Sequence, residues 1–318
     1  MLKSLISDTP KHVEAALNQQ VILLTGASGY VGGRLLPLLN RQGRHVRCLV
    51  RNPDTAQSLT GQFIEVVKGD VLNRVSLDSA LLGVTTAYYL VHLMASSEDF
   101  QNKDREAAQN FVAAAKQAGV KRIIYLGGLG DDSDPKLSAH LRSRHEVGSI
   151  LRRSGIETIE FRASVIIGAG SLSFEMICSL TNRLPVMICP RWLATATQPI
   201  AIDDVLRYLL AAWDVPIAEN RVFEIGGPDL TTYGDLIREY ARQKGLRRWL
   251  ISVPLLTPYL SSLWLGLVTP ASADVGRHLI EGLKNPTVVT NTQALDSFSI
   301  RPVGIRLAMQ RAIVEASR

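Results

Sequence analysis

Cysteine is scarce, with three in 318 residues at Cys48, Cys178 and Cys189. They have neither the paired spacing of a zinc site nor the density of a disulfide framework, so the expectation is free thiols in a reducing compartment and no metal. Long apolar runs are missing as well. No stretch reaches the length of a membrane span, and residues 1–20 lack the apolar core of a signal peptide, which makes the cytoplasm the expected location. The most apolar stretch, 255–268 with Trp264, is interrupted by Pro258. It reads as a core or pocket-lining helix, because the basic face of an interfacial helix is absent. Dense Lys/Arg runs are lacking too, although 35 basic residues against 29 acidic ones leave a formal charge of +6. A dispersed surplus without interleaved aromatic and basic residues predicts no nucleic-acid partner and suits a phosphorylated small ligand. With 46% hydrophobic and 20% charged residues, disorder is not an option.

What is present is concentrated first in Val21-Ile-Leu-Leu-Thr-Gly-Ala-Ser-Gly-Tyr-Val-Gly-Gly33. Residues 21–24 run apolar without alternation, as a strand buried on both faces does. Gly26, Gly29 and Gly32 follow at intervals of three, and apolar residues then recur at helical spacing over 30–39. Strand, glycine turn and helix in that order suit a dinucleotide pyrophosphate. Gly26 makes the tight turn, Gly29 lets the backbone come close, and Gly32 lets the helix pack on the strand, with the helix N-terminus facing the phosphates.

The same alternation continues. Strands are expected over 45–50, 63–67, 86–91, 122–126 and 158–161, with helices over 74–82, 99–118 and 137–153 between them. This predicts an α/β fold: a doubly wound parallel (Rossmann) sheet with helices on both faces. The second strand ends at Arg51, where the NAD-selective form of such a fold carries an acid for the ribose 2′-hydroxyl. A guanidinium there pairs with a 2′-phosphate, so NADP(H) is the expected cofactor and NAD(H) the second choice. Beyond Arg162 the periodicity becomes irregular, with helices expected over 174–182, 203–213 and 232–244 and short strands over 186–188, 200–202 and 222–225. The expected organisation is a leader helix over 1–19, a dinucleotide-binding domain over 20–165 to which later segments return, and a smaller, mostly helical substrate lobe over 166–318. No linker separates the lobes, so they should share a cleft.

The motifs Thr25-Gly-Ala-Ser-Gly-Tyr-Val-Gly32, Arg51 and Gly69-Asp70 resemble the short-chain dehydrogenase/reductase superfamily, and within it the atypical and extended NmrA-like, NAD(P)H-binding members. Tyr88-Tyr-Leu-Val-His92, Tyr125-Leu-Gly-Gly128, Phe161-Arg-Ala-Ser164, Gln198-Pro-Ile-Ala-Ile-Asp-Asp204 and Phe223-Glu-Ile-Gly-Gly-Pro228 extend the resemblance over nearly the whole chain. It implies that Gly26, Ser28, Gly29, Tyr30, Val31, Gly32 and Arg51 hold the phosphates, that Asp70 and Val71 hold the adenine, and that Leu90, Val91 and His92 line the middle of the cofactor.

The chemistry departs from that superfamily. Its enzymes use Tyr-x-x-x-Lys on the helix after the fifth strand and a Ser or Thr just beyond that strand. Here the alignment places His140 at the tyrosine, Arg144 at the lysine, and Gly127-Gly-Leu-Gly130 where the hydroxyl belongs. His140 and Arg144, four apart, share one helical face. In one reading His140 donates the proton and Arg144, a fixed cation, holds the ribose; the protein is then an oxidoreductase moving hydride to or from an apolar carbonyl or enone-like compound. Phe174, Met176 and the 255–268 stretch would roof its cleft. In the other, His140 is a surface histidine, reduction has been lost, and NADP(H) is a structural or sensed ligand of a regulatory or assembly protein. His140 and His145 are five apart, on different faces, which argues against a metal. A homodimer through helices 99–118 and 137–153 is compatible with the sequence.

Overall fold

The computed structural model describes residues 20–56, 59–93, 99–189, 191–216, 219–252 and 282–317. The expected leader over 1–19 and the apolar stretch 255–268 lie outside the described residues. From the N-terminal side the elements are β1 (Val21–Thr25), α1 (Tyr30–Arg41), β2 (His45–Val50), β3 (Ile64–Lys68), α2 (Arg74–Ala80), β4 (Val84–Tyr89), α3 (Phe100–Ala118), β5 (Arg122–Gly128), α4 (Ala139–Arg152) and β6 (Glu157–Ala163). Next come β7 (Ile166–Ile167), α5 (Leu172–Arg183), β8 (Val186–Cys189), β9 (Ala196–Thr197), β10 (Ile200–Ala201), α6 (Ile202–Ala211) and β11 (Arg221–Ile225). The described part closes with β12 (Thr231–Thr232), α7 (Tyr233–Gln243), β13 (Trp249–Ser252), α8 (Gln293–Phe298) and α9 (Ile305–Ala316).

Seven strands form one parallel sheet in the order β11-β6-β5-β4-β1-β2-β3. The seventh, β11, returns from beyond residue 166 to pair with β6, Phe223 opposite Phe161. Continuous apolar runs such as Ile22, Leu23 and Leu24, all fully buried, are what a sheet covered on both faces requires. One face packs against α1, α6 and α8 through Leu35, Leu39, Val205, Leu209 and Phe298. The other packs against α2, α3 and α4 through Leu77, Phe111, Val147 and Leu151. A third core, formed chiefly by α5, α7 and α9, lies beside the sheet. Phe174 and Met176 are buried inside this third core, which corrects their expected place over the cleft: their neighbours are other apolar side chains of that lobe.

The direction of strand addition reverses between β1 and β4, so their C-terminal ends diverge and open a crevice. β4 stops at Tyr89, short of the expected end at Val91, because β1 has by then turned away at Gly26. The Thr25 hydroxyl instead accepts from the Leu90 N–H at 3.0 Å, and residues 90–93 leave the sheet as a loop along the crevice.

Candidate functional site

The crevice floor is set by backbone geometry. Gly26 has φ +72°, a region costly to side chains, and a Cβ there would meet the Leu90 carbonyl oxygen at 2.7 Å. At Gly32 a Cβ would overlap the Gly26 carbonyl, so α1 packs against the turn with no room for a methyl group. Gly29 is the N-cap of α1 and supplies no side-chain cap, nor is there an acid in the first turn. The N–H groups at this helix start are therefore left for a ligand, with the positive end of the helix dipole behind them.

Two adjoining cavities share Gly26, Gly29, Leu90 and His92. The first, of about 260 Å³, reaches past Ser28 to Arg51 at the end of β2 and to Asp70 and Val71 after β3, with Val91 on its wall. The second, of about 310 Å³, runs under Tyr30, Val31 and Gly32 to His140, Arg144, the Gly127–Gly128 backbone and Ser164. The fourteen residues assigned from the sequence to cofactor and chemistry thus line these two adjoining cavities. Arg51 is exposed at the outer end of the crevice.

At the inner end, α4 starts with a cap: the Ser138 hydroxyl accepts from the Leu141 N–H at 3.3 Å. This start places His140 and Arg144 on the crevice side. The Arg144 guanidinium donates to the Leu126 carbonyl and lies over the Tyr125 ring at 5.2 Å, while the Tyr125 hydroxyl donates to the Arg144 carbonyl at 2.9 Å. Its cation is thereby held in one place at the mouth of β5.

His140 belongs to a chain of groups. Its Nδ1 lies 3.0 Å from Nε2 of His92, whose Nδ1 lies 2.9 Å from Oδ2 of Asp104 on α3. Asp104 is 3% exposed and also accepts from the Leu93 N–H at 3.0 Å and the Ser143 hydroxyl at 2.8 Å. Burial pushes its carboxyl up, but the hydrogen bonds from His92, Leu93 and Ser143 and the charge of His92 outweigh it and hold the group below the usual carboxylate range. Asp104 was absent from the residues picked out of the sequence, although a signal exists. It occupies the inward stripe of α3 together with Ala107, Ala108, Phe111 and Ala115, an acid where the helix is otherwise apolar.

Ser164 was likewise missed as a site residue. No hydroxyl follows β5, yet β6 delivers this one to the crevice, 2.6 Å from the hydroxyls of both Thr197 and Thr287. Behind the crevice, Glu160 is fully buried between Arg162, at 2.7 Å, and Arg152, and Arg162 reaches on to Asp132 at 2.9 Å. His145 packs with its Nε2 2.9 Å from the Gly128 carbonyl and its Nδ1 against Asp132. Cys48, Cys178 and Cys189 are free thiols, and burial pushes the Cys48 and Cys178 thiols up to about 12 and about 11.

A doubly wound parallel sheet with a glycine turn and an elongated crevice at its switch point defines the class, a Rossmann-type α/β protein. Within that class the chain belongs to the NmrA-like family, which it matches over residues 18–179. Quinone oxidoreductase 2 of Escherichia coli (strain K12) is 35% identical over 233 residues, 71% of this chain and 75% of that relative. Ceramide reductase of Caulobacter vibrioides is 25% identical over 264 residues, 81% of this chain and 82% of the relative. Among solved structures, the Citrobacter sp. triphenylmethane reductase complexed with NADP(H) shares the fold, with a TM-score of 0.73 at 17% identity over 92% of this chain and 99% of that one. No helix among the described residues is long and apolar enough to cross a membrane.

Proposed function

We propose that this protein is an NADP(H)-dependent reductase acting on an apolar carbonyl, enone or quinone. The observation that carries the reading is the single crevice that joins Arg51, the glycine turn and His140. The residues present fit the cofactor: Gly26 and Gly32 leave a cradle that side chains would fill, and the uncapped start of α1 suits a diphosphate. When bound, the dihydronicotinamide supplies a hydride. The protein does the rest. Arg51 pairs with the 2′-phosphate, a bidentate match that an acid at this position would prevent. Asp70 and Val71 bracket the adenine end, and Arg144 holds the ribose hydroxyls with a charge that never titrates. His140 gives the substrate oxygen its proton, in place of the superfamily's tyrosine. The relatives named above are, by name, a quinone oxidoreductase, a ceramide reductase and a triphenylmethane reductase, which supports a reductase reading here.

The test is titration with NADPH and NADH, followed by turnover against quinones and apolar aldehydes and ketones. Tighter binding of NADPH, lost by about tenfold or more in Arg51→Ala with NADH binding unchanged, is the expected result. Failure to bind either nucleotide overturns the reading. Tight NADPH binding without turnover of any compound replaces it with the cofactor-dependent regulatory or assembly protein that the absent Tyr-x-x-x-Lys motif also allows.

A further inference from the structure

We infer that the Ser164 hydroxyl is a hydrogen-bond donor to the substrate's carbonyl oxygen, held for that task by Thr197, Thr287 and Tyr233 as positioning residues; this rests on the reductase reading above. Distant segments bring these hydroxyls together. Ser164 follows β6, Thr197 ends β9, and Thr287 is tied to Thr197 by a parallel backbone bridge. The Thr287 N–H donates to the Ala196 carbonyl at 3.1 Å, and the Thr287 carbonyl accepts from the Gln198 N–H at 2.9 Å. Tyr233 opens α7, whose start is fixed by the Thr232 hydroxyl accepting from the Asp235 N–H at 3.1 Å.

Oγ of Ser164 lies 2.6 Å from Oγ1 of both Thr197 and Thr287, which are 3.0 Å from each other, and the Tyr233 hydroxyl hydrogen-bonds with both threonines. Thr197 is fully buried, and Thr287 and Tyr233 are nearly so. Valine at 197 or 287 would fill the same shape without burying a hydroxyl, so packing alone does not call for these groups. Ser164 differs from the other three. It is half-buried and lines the inner cavity together with Gly127, Gly128 and Arg144.

A count of protons gives the direction. Each hydroxyl has one proton to donate and two lone pairs to accept with. Burial pushes the Tyr233 hydroxyl up to about 12, so it keeps its proton and can donate to a threonine. When both threonines donate to Ser164, its lone pairs are filled and its own proton turns to the cavity. The two short contacts then carry protons, and the longer contact between the threonines carries none. A carbonyl oxygen, which accepts and cannot donate, selects this arrangement. As the carbonyl carbon takes hydride, the π pair moves onto the oxygen, and a donor already in place stabilises that charge without giving up its proton. β6 thereby supplies the hydroxyl that Gly127-Gly-Leu-Gly130 does not supply after β5.

Two measurements on the full-length protein test this. Infrared spectroscopy reads the contact without turnover, using 1,4-naphthoquinone and acetophenone labelled with carbon-13 at a carbonyl, with and without NADP+, and NADP+ labelled in its carboxamide. A labelled quinone or ketone band should fall to lower wavenumber on wild type and return toward its free position on Ser164→Ala. Bands that this substitution leaves unmoved overturn the proposal, as does failure of both compounds to bind. A Ser164-dependent shift confined to the carboxamide would make the residue a cofactor contact and overturn it too. The second measurement is kinetic. Ser164→Ala should lower kcat about a hundredfold with NADPH affinity unchanged. Thr197→Val, Thr287→Val and Tyr233→Phe should each lower kcat about threefold, and not at all in the Ser164→Ala background, because their effect passes through Ser164. Equal falls in both backgrounds would mean a merely structural role and sink the proposal. A wild type that binds NADPH and reduces nothing defeats the reductase reading instead, and the labelled carbonyls still decide whether Ser164 meets one.

Discussion

Gly32 has no room for a methyl group against the Gly26 carbonyl, and this one contact holds α1 on the turn. Gly32→Ala should cost about 1–3 kcal/mol from overpacking, read as a lower urea midpoint, and should weaken NADPH binding more than that loss alone explains. Asp104 makes a different residue-scale prediction. Its folded carboxyl titrates below the unfolded value of ~3.9. Its contribution is therefore fully present above that value and is lost as pH falls through the folded value. Wild type should lose stability more steeply with falling pH below about 4 than Asp104→Asn does, as urea unfolding across pH would show; equal slopes would contradict the assignment. At this scale the glycine turn was legible in the sequence because its geometry depends on neighbours a few positions away. Asp104 and Ser164 were not, because nothing local distinguishes an inward acid or a strand-end serine until its partners arrive.

The elements place the chemistry. α4 carries His140 and Arg144 on one face, and its first turn rests on Ser138, which caps Leu141 with its hydroxyl and donates its own N–H to Asn285 at 3.0 Å. Ser138→Ala should lower stability by about 1 kcal/mol. Its effect on kcat should exceed its effect on NADPH affinity, because the glycine turn is untouched; steady-state kinetics alongside cofactor titration would separate the two. Periodicity located most of these elements within a few residues, β2 at its observed bounds. The misjudged end of β4 has a physical cause: a strand ends where its partner does, and β1 leaves at Gly26. Similarly, Phe174 and Met176 looked like cleft residues only because apolar spacing marks a buried face without saying which core buries it.

For the whole molecule, the crevice exists because strand order reverses between β1 and β4, and it is completed by side chains from both sides of that reversal. A ligand that binds only the folded form stabilises it in proportion to occupancy, so NADPH at a hundred times its Kd should add about 2.7 kcal/mol. Tm should then rise on the order of 5 °C, with a smaller rise for NADH at the same concentration. Equal shifts would remove Arg51 as the selecting group.

By itself the sequence determined the parallel α/β sheet and the glycine turn, because alternating apolar runs and short glycine intervals act through local backbone geometry. Only the tertiary structure decided the inner end. Asp104 and His92 are 12 residues apart, His92 and His140 are 48 apart, and Ser164 and Thr287 are 123 apart. Their meeting depends on which strands lie side by side and where each stops. Strand order is a property of the packed sheet, and no short stretch of chain encodes it.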